Sequence, residues 1–215
     1  MGGDYAIFNA ACEGYSSAQE LLELIRDISA LNPKIIIVFN GVIDAIDASS
    51  IPSHPFHTKY AKNVLENAFG NNINRYKGMQ EVPKKILYGI ENTENSGDFY
   101  CKNIKLMEAI SRTIGADIYC FLQPTLYEEY EGVLTKKEIF EKIYILDEDG
   151  YNKKKKETVN QFYENVKSQM KTNSFLVDLS NIFYEEKDIY LDEIHYTEKG
   201  HKIIADKVYN SIFNE

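Results

Sequence analysis

The sequence has no tryptophan, only five prolines and three cysteines in 215 residues. It also has no run of about twenty apolar residues, so no segment is expected to span a bilayer. Cys12, Cys101 and Cys120 are scattered and odd in number. Neither a disulfide framework nor a metal-type cysteine spacing is available to them, and small buried thiols in a reducing compartment are the expectation. Positive charge is short as well: 24 Lys and Arg stand against 33 Asp and Glu, for a formal net charge of −9. The densest basic run, Lys153 to Lys156, lies among acidic residues in a helix-like segment and reads as a solvated helix face. Phosphate neutralisation needs clustered Lys and Arg, so nucleic acid is not an expected partner. The start, Met1-Gly2-Gly3-Asp4-Tyr5, lacks the basic and apolar regions of a secretory signal. The cytoplasm is therefore favoured for the chain as given, with any export signal belonging to a preceding segment.

What is present suffices for one domain over residues 1–215, with 44% hydrophobic residues to fill its core. Tyr5-Ala6-Ile7-Phe8-Asn9 has the composition of a strand. A helix is expected from about Ser17 to Leu31, with Ser17 and Glu20 as a capping box. Leu21, Leu24, Ile25, Ile28 and Leu31 would form its apolar face, and Asn32-Pro33 its stop. Lys34 to Phe39 is an unbroken β-branched run that suits a strand covered on both faces. Asn40-Gly41-Val42-Ile43-Asp44 then reads as a loop at the strand's carboxyl end, the edge where open α/β sheets hold ligands. Residues 49–97 read as an insertion or lid containing a helix around Tyr60–Phe69. Further helices are expected at about Phe99–Ile114, Tyr151–Lys171 and Thr197–Phe213, and strands at Asp117–Leu122 and Ser174–Asp178. Such alternation predicts an α/β fold: three layers, α/β/α, around a mostly parallel sheet.

The stretch that carries chemistry is Asp192-Glu193-Ile194-His195-Tyr196-Thr197-Glu198-Lys199-Gly200. An Asp three residues before a His, in a loop opening a helix, can turn its carboxylate onto the imidazole. That contact fixes the tautomer and stabilises the imidazolium formed when the ring takes a proton from a nucleophile. Thr197 is placed to cap the helix and hold the loop. By itself the pattern is equally that of a surface ion pair.

In its wider context the chain resembles the SGNH (GDSL-like) hydrolases, whose last motif is D-x-x-H followed by Thr-x-x-Gly and an amphipathic helix. Asp192, His195, Thr197 and Gly200 match in order and spacing. Phe8 to Leu21 resembles the family's second block, in which Gly14 would give its amide to the oxyanion hole. Ile35–Asp44 resembles the G-x-N-D block, and Phe121-Leu122-Gln123-Pro124-Thr125-Leu126 a strand end common in the bacterial branch. The resemblance implies a flavodoxin-like fold and hydrolysis of carboxylic or O-acetyl esters without a cofactor. His195 would be the base, Asp192 its orienting partner and Gly14 the oxyanion donor.

Two departures stand out. The Gly-Asp-Ser-like turn expected before Gly14 is not found; Gly2-Gly3-Asp4 matches it by letters only, because Tyr5 follows. Ile43 occupies the position of the family's oxyanion Asn, and an isoleucine donates no hydrogen bond. Ser16 and Ser17 lie near Gly14, but neither follows the sharp strand turn a nucleophile needs. The expectation is an esterase domain lacking its first strand and helix, inactive in this form; the alternative is a non-catalytic relative that binds an acylated sugar or a protein partner. Asn40, Gly41 and Gln123, at carboxyl ends of strands, are candidate substrate contacts. Asn40 could replace the missing Asn only across a spacing error of three residues. A lost central strand would expose apolar edges, so marginal stability, a rearranged strand or a homodimer is expected. His54-Pro55-Phe56-His57 has a proline that disfavours helical pairing of the two rings, no cysteine lies nearby and His201 faces a helix, so no metal site is expected.

Overall fold

In a computed structural model the described residues are 6–50, 96–127, 151–170, 175–184 and 186–213; of 47–50 and 151–154 only the backbone is described. Strand β1 (Ile35–Asn40) pairs in parallel with β2 (Asp117–Leu122), and β2 pairs in parallel with β3 (Leu176–Asp178), giving the order β1-β2-β3. The helices are α1 (Ser17–Glu23), α2 (Val42–Ser50), α3 (Ser96–Thr113), α4 (Tyr151–Met170) and α5 (Glu198–Phe213).

Strand alternation divides the core in two, because successive side chains leave opposite faces of a sheet. Ile36, Val38, Ile118, Cys120, Leu122 and Leu176 face a layer that includes Leu24 of α1, Tyr100, Ile104 and Met107 of α3, and Phe162, Tyr163 and Val166 of α4. Phe39, Tyr119, Phe121 and Val177 face the other way, onto Ile204 and Val208 of α5 and the aromatic group Phe183, Tyr190 and Tyr196. The three-layer α/β/α arrangement is thus written in the period-2 pattern of the strands.

Several expectations are corrected in detail. Ala6–Asn9 belongs to no strand, and Ile7 and Phe8 are 94% and 72% exposed. Its composition favours a strand, but a strand also needs a neighbour for its backbone groups, and β1 does not supply one. The N-cap of α1 is Ser16, not Ser17: Gln19 Oε1 accepts from the Ser16 amide at 3.0 Å. The helix then widens into a π turn over Leu24–Ile28 and tightens into a 3-10 turn over Ser29–Leu31, ending on Asn32 at φ 50°. This change of winding keeps Leu21, Leu24 and Ile28 on the core and rotates Ile25 and Leu31 outward, where they are 51% and 55% exposed. The expected loop at 40–44 is cut short because α2 starts at Val42. Cys101 and Cys120 are buried, as anticipated, but Cys12 is exposed. Burial pushes the Cys101 thiol up to about 11 and Cys120 higher still, leaving both unreactive. Most of the expected insertion at 49–97, with His54 and His57, lies outside the described residues, as does Ser174. No described helix is long and apolar enough to cross a membrane.

Candidate active site

Because the strands are parallel, their carboxyl ends share one edge. Asn40 ends β1 opposite Leu122, and the Gln123 amide closes the join by donating to the Asn40 carbonyl at 2.9 Å. Two loops reach this edge, one from each end of the chain.

The first contains Gly14. Tyr15 N–H donates to the Cys12 carbonyl at 3.3 Å, and Gly14 takes φ +76°, a left-handed conformation costly for residues with a Cβ. Among the described residues, the Gly14 amide has no hydrogen-bond partner. The next turn is tethered to α2. Asp44 accepts the Ser17 amide at 2.9 Å and the Ser17 hydroxyl at 2.5 Å, while Asn103 of α3 donates to the same hydroxyl oxygen at 3.0 Å. Ser16 donates to Gln19 Oε1 at 3.3 Å. Both serine hydroxyls therefore have structural partners, and neither bonds to His195.

Beneath this loop is a buried polar chain. Asn40 donates through Nδ2 to Glu20 and accepts the Tyr100 hydroxyl at 2.9 Å. Only 4% of Asn40 is exposed, and both ends of its amide are engaged within the fold. Burial raises the Glu20 carboxyl to about 8, Asn40 partly opposes this, and the charges of Asp44 and Glu23 add to the rise. Burial likewise holds the Tyr100 phenol well above its ordinary value. Glu20 had read as a helix cap. Its position four residues before Leu24, on the core-facing side of α1, was the signal that it turns inward.

The second loop carries Asp192 and His195. Residues 189–197 double back on themselves: Leu191 N–H donates to the His195 carbonyl at 2.9 Å, Thr197 N–H to the Ile189 carbonyl at 2.7 Å, and Tyr190 and Tyr196 form an antiparallel bridge. Asp192 sits near the tip. Its Oδ1 accepts the amides of Ile194 and His195, each at 2.9 Å, and Oδ2 lies 2.7 Å from His195 Nδ1. Partial burial would raise the Asp192 carboxyl, but the Ile194 amide and the ring and amide of His195 outweigh it and hold Asp192 below the ordinary carboxylate range. The imidazole is thereby oriented with Nδ1 on the carboxylate, and Nε2 has no partner among the described residues. Thr197 caps α5, accepting the Gly200 amide at 3.4 Å, and donates to the Asp188 carbonyl at 2.8 Å. Gly200 is needed for close packing: a Cβ there would lie 3.0 Å from both Ile189 Cγ2 and Tyr196 Cβ.

The family model for GDSL-like lipases and acylhydrolases matches residues 3–208. The chain belongs to that family. No curated protein sequence matches it. Among solved structures it is similar to two mutants of one esterase of Geobacillus stearothermophilus. One is a mutant of an acetyl-xylooligosaccharide esterase, with 15% identity and a TM-score of 0.49, matched over 94% of this chain and 69% of the other. The second is a catalytic mutant of an acetylxylan esterase, with 14% identity and a TM-score of 0.48, over 93% and 68%.

The chain brings Asn40, Gly41, Gln123 and the Asp192–His195 loop to one edge of its sheet, and Ser17, three residues after Gly14, is tied to α2 next to that edge. It does not give them equal roles. Gly41 is buried at φ +108°, and the Gln123 carbonyl accepts the Tyr163 hydroxyl at 2.6 Å. These positions, with Asn40, are bound into the fold by their own contacts, while His195 is 61% exposed in its side chain. Among the described residues no group of three or more His, Cys, Asp or Glu is arranged to hold a metal ion.

Proposed function

We propose that this chain supplies the base, its orienting acid and an oxyanion donor of a serine-type carboxylic or O-acetyl ester hydrolase. The observation that carries this reading is the 2.7 Å contact between Asp192 and His195 Nδ1 in a chain of the acylhydrolase family. In the reaction His195 Nε2 takes the proton of an attacking serine hydroxyl, and the hydroxyl oxygen bonds to the ester carbonyl carbon. Asp192 stabilises the resulting imidazolium, and the Gly14 amide donates to the oxyanion. Collapse expels the alcohol, which receives the proton from His195. Water then repeats the sequence on the acyl-serine and releases the acid.

The serine comes, in this reading, from a segment pairing with the outer edge of β1, and the chain without it does not complete the cycle. Support lies in β1 itself. Among the described residues its outer edge has no partner, and Ile37, in the middle of the strand, is 52% exposed. The test is hydrolysis of p-nitrophenyl acetate by the chain, by His195→Ala, and by the chain extended with a Gly-Asp-Ser-bearing strand from another family member. The chain alone should match His195→Ala, while the extended form should turn over substrate only when His195 is present. An extended, folded protein without His195-dependent turnover would refute the proposal.

A second reading, a non-catalytic binder of an acylated sugar or a protein, is favoured by Ile43, whose side chain cannot donate to an oxyanion. The two separate on Ile43→Asn in the extended protein. One restored oxyanion donor should raise the rate on the order of a hundredfold. An unchanged rate would favour the binding role.

A further inference from the structure

The loop presenting His195 contains a second carboxylate residue, and this one is tied to the segment after β2 and to α4 rather than to its own loop. The Glu193 carbonyl accepts the Leu126 amide and the Thr125 hydroxyl, each at 3.0 Å. Its side-chain Oε1 accepts the Tyr127 hydroxyl at 3.2 Å and Lys155 Nζ at 3.4 Å. Lys155 also lies over the Tyr127 ring, 5.0 Å from its centroid. Thr125 and Leu126 are fully buried and Tyr127 is 1% exposed, so these anchors belong to the rigid core beyond β2. The Lys155 side chain is only 13% exposed and that of Glu193 30%, which sets this pair apart from the solvent-screened Lys199–Glu186 pair at 52% and 40%.

We propose that Glu193 is the positioning residue of the candidate site, seating the Asp192–His195 pair on the sheet edge through Lys155 of α4 and Tyr127. This rests on the reading of His195 as a base. The physical argument is geometric. Asp192 and His195 are 46% and 61% exposed in their side chains, and the hydrogen bonds of those side chains run within residues 192–195 rather than to the sheet. The bonds that tie their loop to the sheet converge on Glu193, one of the two residues between them, and on the neighbouring Tyr196, whose hydroxyl donates to the Pro124 carbonyl at 2.5 Å. Glu193 touches no reacting atom; it acts by limiting how far the loop can move, and a general base loses efficiency when its placement loosens. The same arrangement links α4 to the site, so displacement of the Lys155 turn would be transmitted to His195.

The test uses the chain as it exists and needs no turnover. The low-field NMR signal of the His195 Nδ1 proton, assigned by its loss in His195→Ala, reports the Asp192–His195 hydrogen bond. Hydrogen exchange of the Ile194 and His195 amides reports loop seating. Lys155→Met and Glu193→Gln should each broaden the Nδ1 signal away and speed those amides at least about tenfold. Lys155→Arg should restore both. Tyr127→Phe, which deletes one hydroxyl and keeps the ring, should give a smaller change in the same direction and covers the case in which a charge variant fails to fold. Cooperative melting should be retained. Unchanged signal and exchange in folded Lys155→Met, Glu193→Gln and Tyr127→Phe would overturn the positioning role. Asp192→Asn separates the two readings: persistence of the Nδ1 signal there would overturn the base reading itself, and its loss beside inert Glu193 variants would overturn only the positioning.

Discussion

Raising the pH from 5 to 9 should cost the folded protein several kcal/mol through Glu20, and Glu20→Gln should remove that loss. The Glu20 carboxyl sits at about 8 in the folded state against 4.5 in its absence, chiefly because it is buried. A folded value above the unfolded one means that the unfolded chain releases this proton first. The stabilising effect of the protonated form is complete below about pH 4.5, declines as pH rises, and is gone above about pH 8. Between pH 5 and 9 such a shift corresponds to roughly 4 kcal/mol, or about 8–16 °C of melting temperature for a chain of this length. Glutamine mimics the protonated acid and still accepts from Asn40 Nδ2, so the variant should match the parent near pH 5 and exceed it near pH 9. Other groups titrate over the same range, so the quantity to follow is the difference between the two proteins in urea unfolding at each pH. A difference that stays flat from pH 5 to 9 would show that Glu20 is ionised or solvated in the native state.

Gly41→Ala should destabilise the protein by about 3 kcal/mol, lowering the melting temperature by roughly 6–12 °C. Two effects add. The residue holds φ +108°, which a side chain with a Cβ rarely adopts. A Cβ there would also lie 2.7 Å from Leu122 Cδ1 and 3.5 Å from the Tyr100 ring. Leu122 and Tyr100 are fully buried, so neither can swing aside cheaply. Tyr100 is the hydroxyl that Asn40 accepts, and its displacement would also disturb the contact with Glu20. Thermal unfolding of the purified variant is the check. A melting temperature within about 2 °C of the parent would mean that the turn relaxes, leaving Gly41 free for the substrate contact its position first suggested.

How much of this was legible beforehand depends on whether the deciding contacts were local. β2 is found at Asp117–Leu122, as its composition implied, and α5 begins one residue after Thr197. The Asp192–His195 pair was legible for the same reason: both partners lie within one turn of chain, and the spacing alone allows the carboxylate to reach the ring. Glu20 was misread because the capping box and the buried acid use the same residue types, and the choice between them rests on Asn40, twenty residues away. Asp44 was seen as part of a motif but not as the tether of Ser17, a contact spanning 27 residues. Glu193 drew no attention, since Lys155 is 38 positions distant and the interaction is visible only when α4 lies beside the loop. Ile7 and Phe8 erred in the opposite direction. Their local preference was strand-like, but pairing depends on a neighbour that local preference does not provide.

The sequence by itself determined strands β1 to β3, helices α1, α3, α4 and α5, the parallel sheet with two apolar faces, the acylhydrolase motifs and the Asp192–His195 pair, but not helix α2. Each follows from periodicity or from contacts within a few residues, where chain geometry leaves little choice. Tertiary structure alone decided that Asn40 is an internal strut, that Glu20 is a partly buried acid bonded to it, that Asp44 holds the start of α1, and that Lys155 and Tyr127 hold Glu193. Those outcomes depend on which distant side chains meet at the carboxyl edge of the sheet. Desolvation there raises the Glu20 carboxyl, and the partly buried contacts of Glu193 depend on partners that its own neighbourhood in the sequence does not contain.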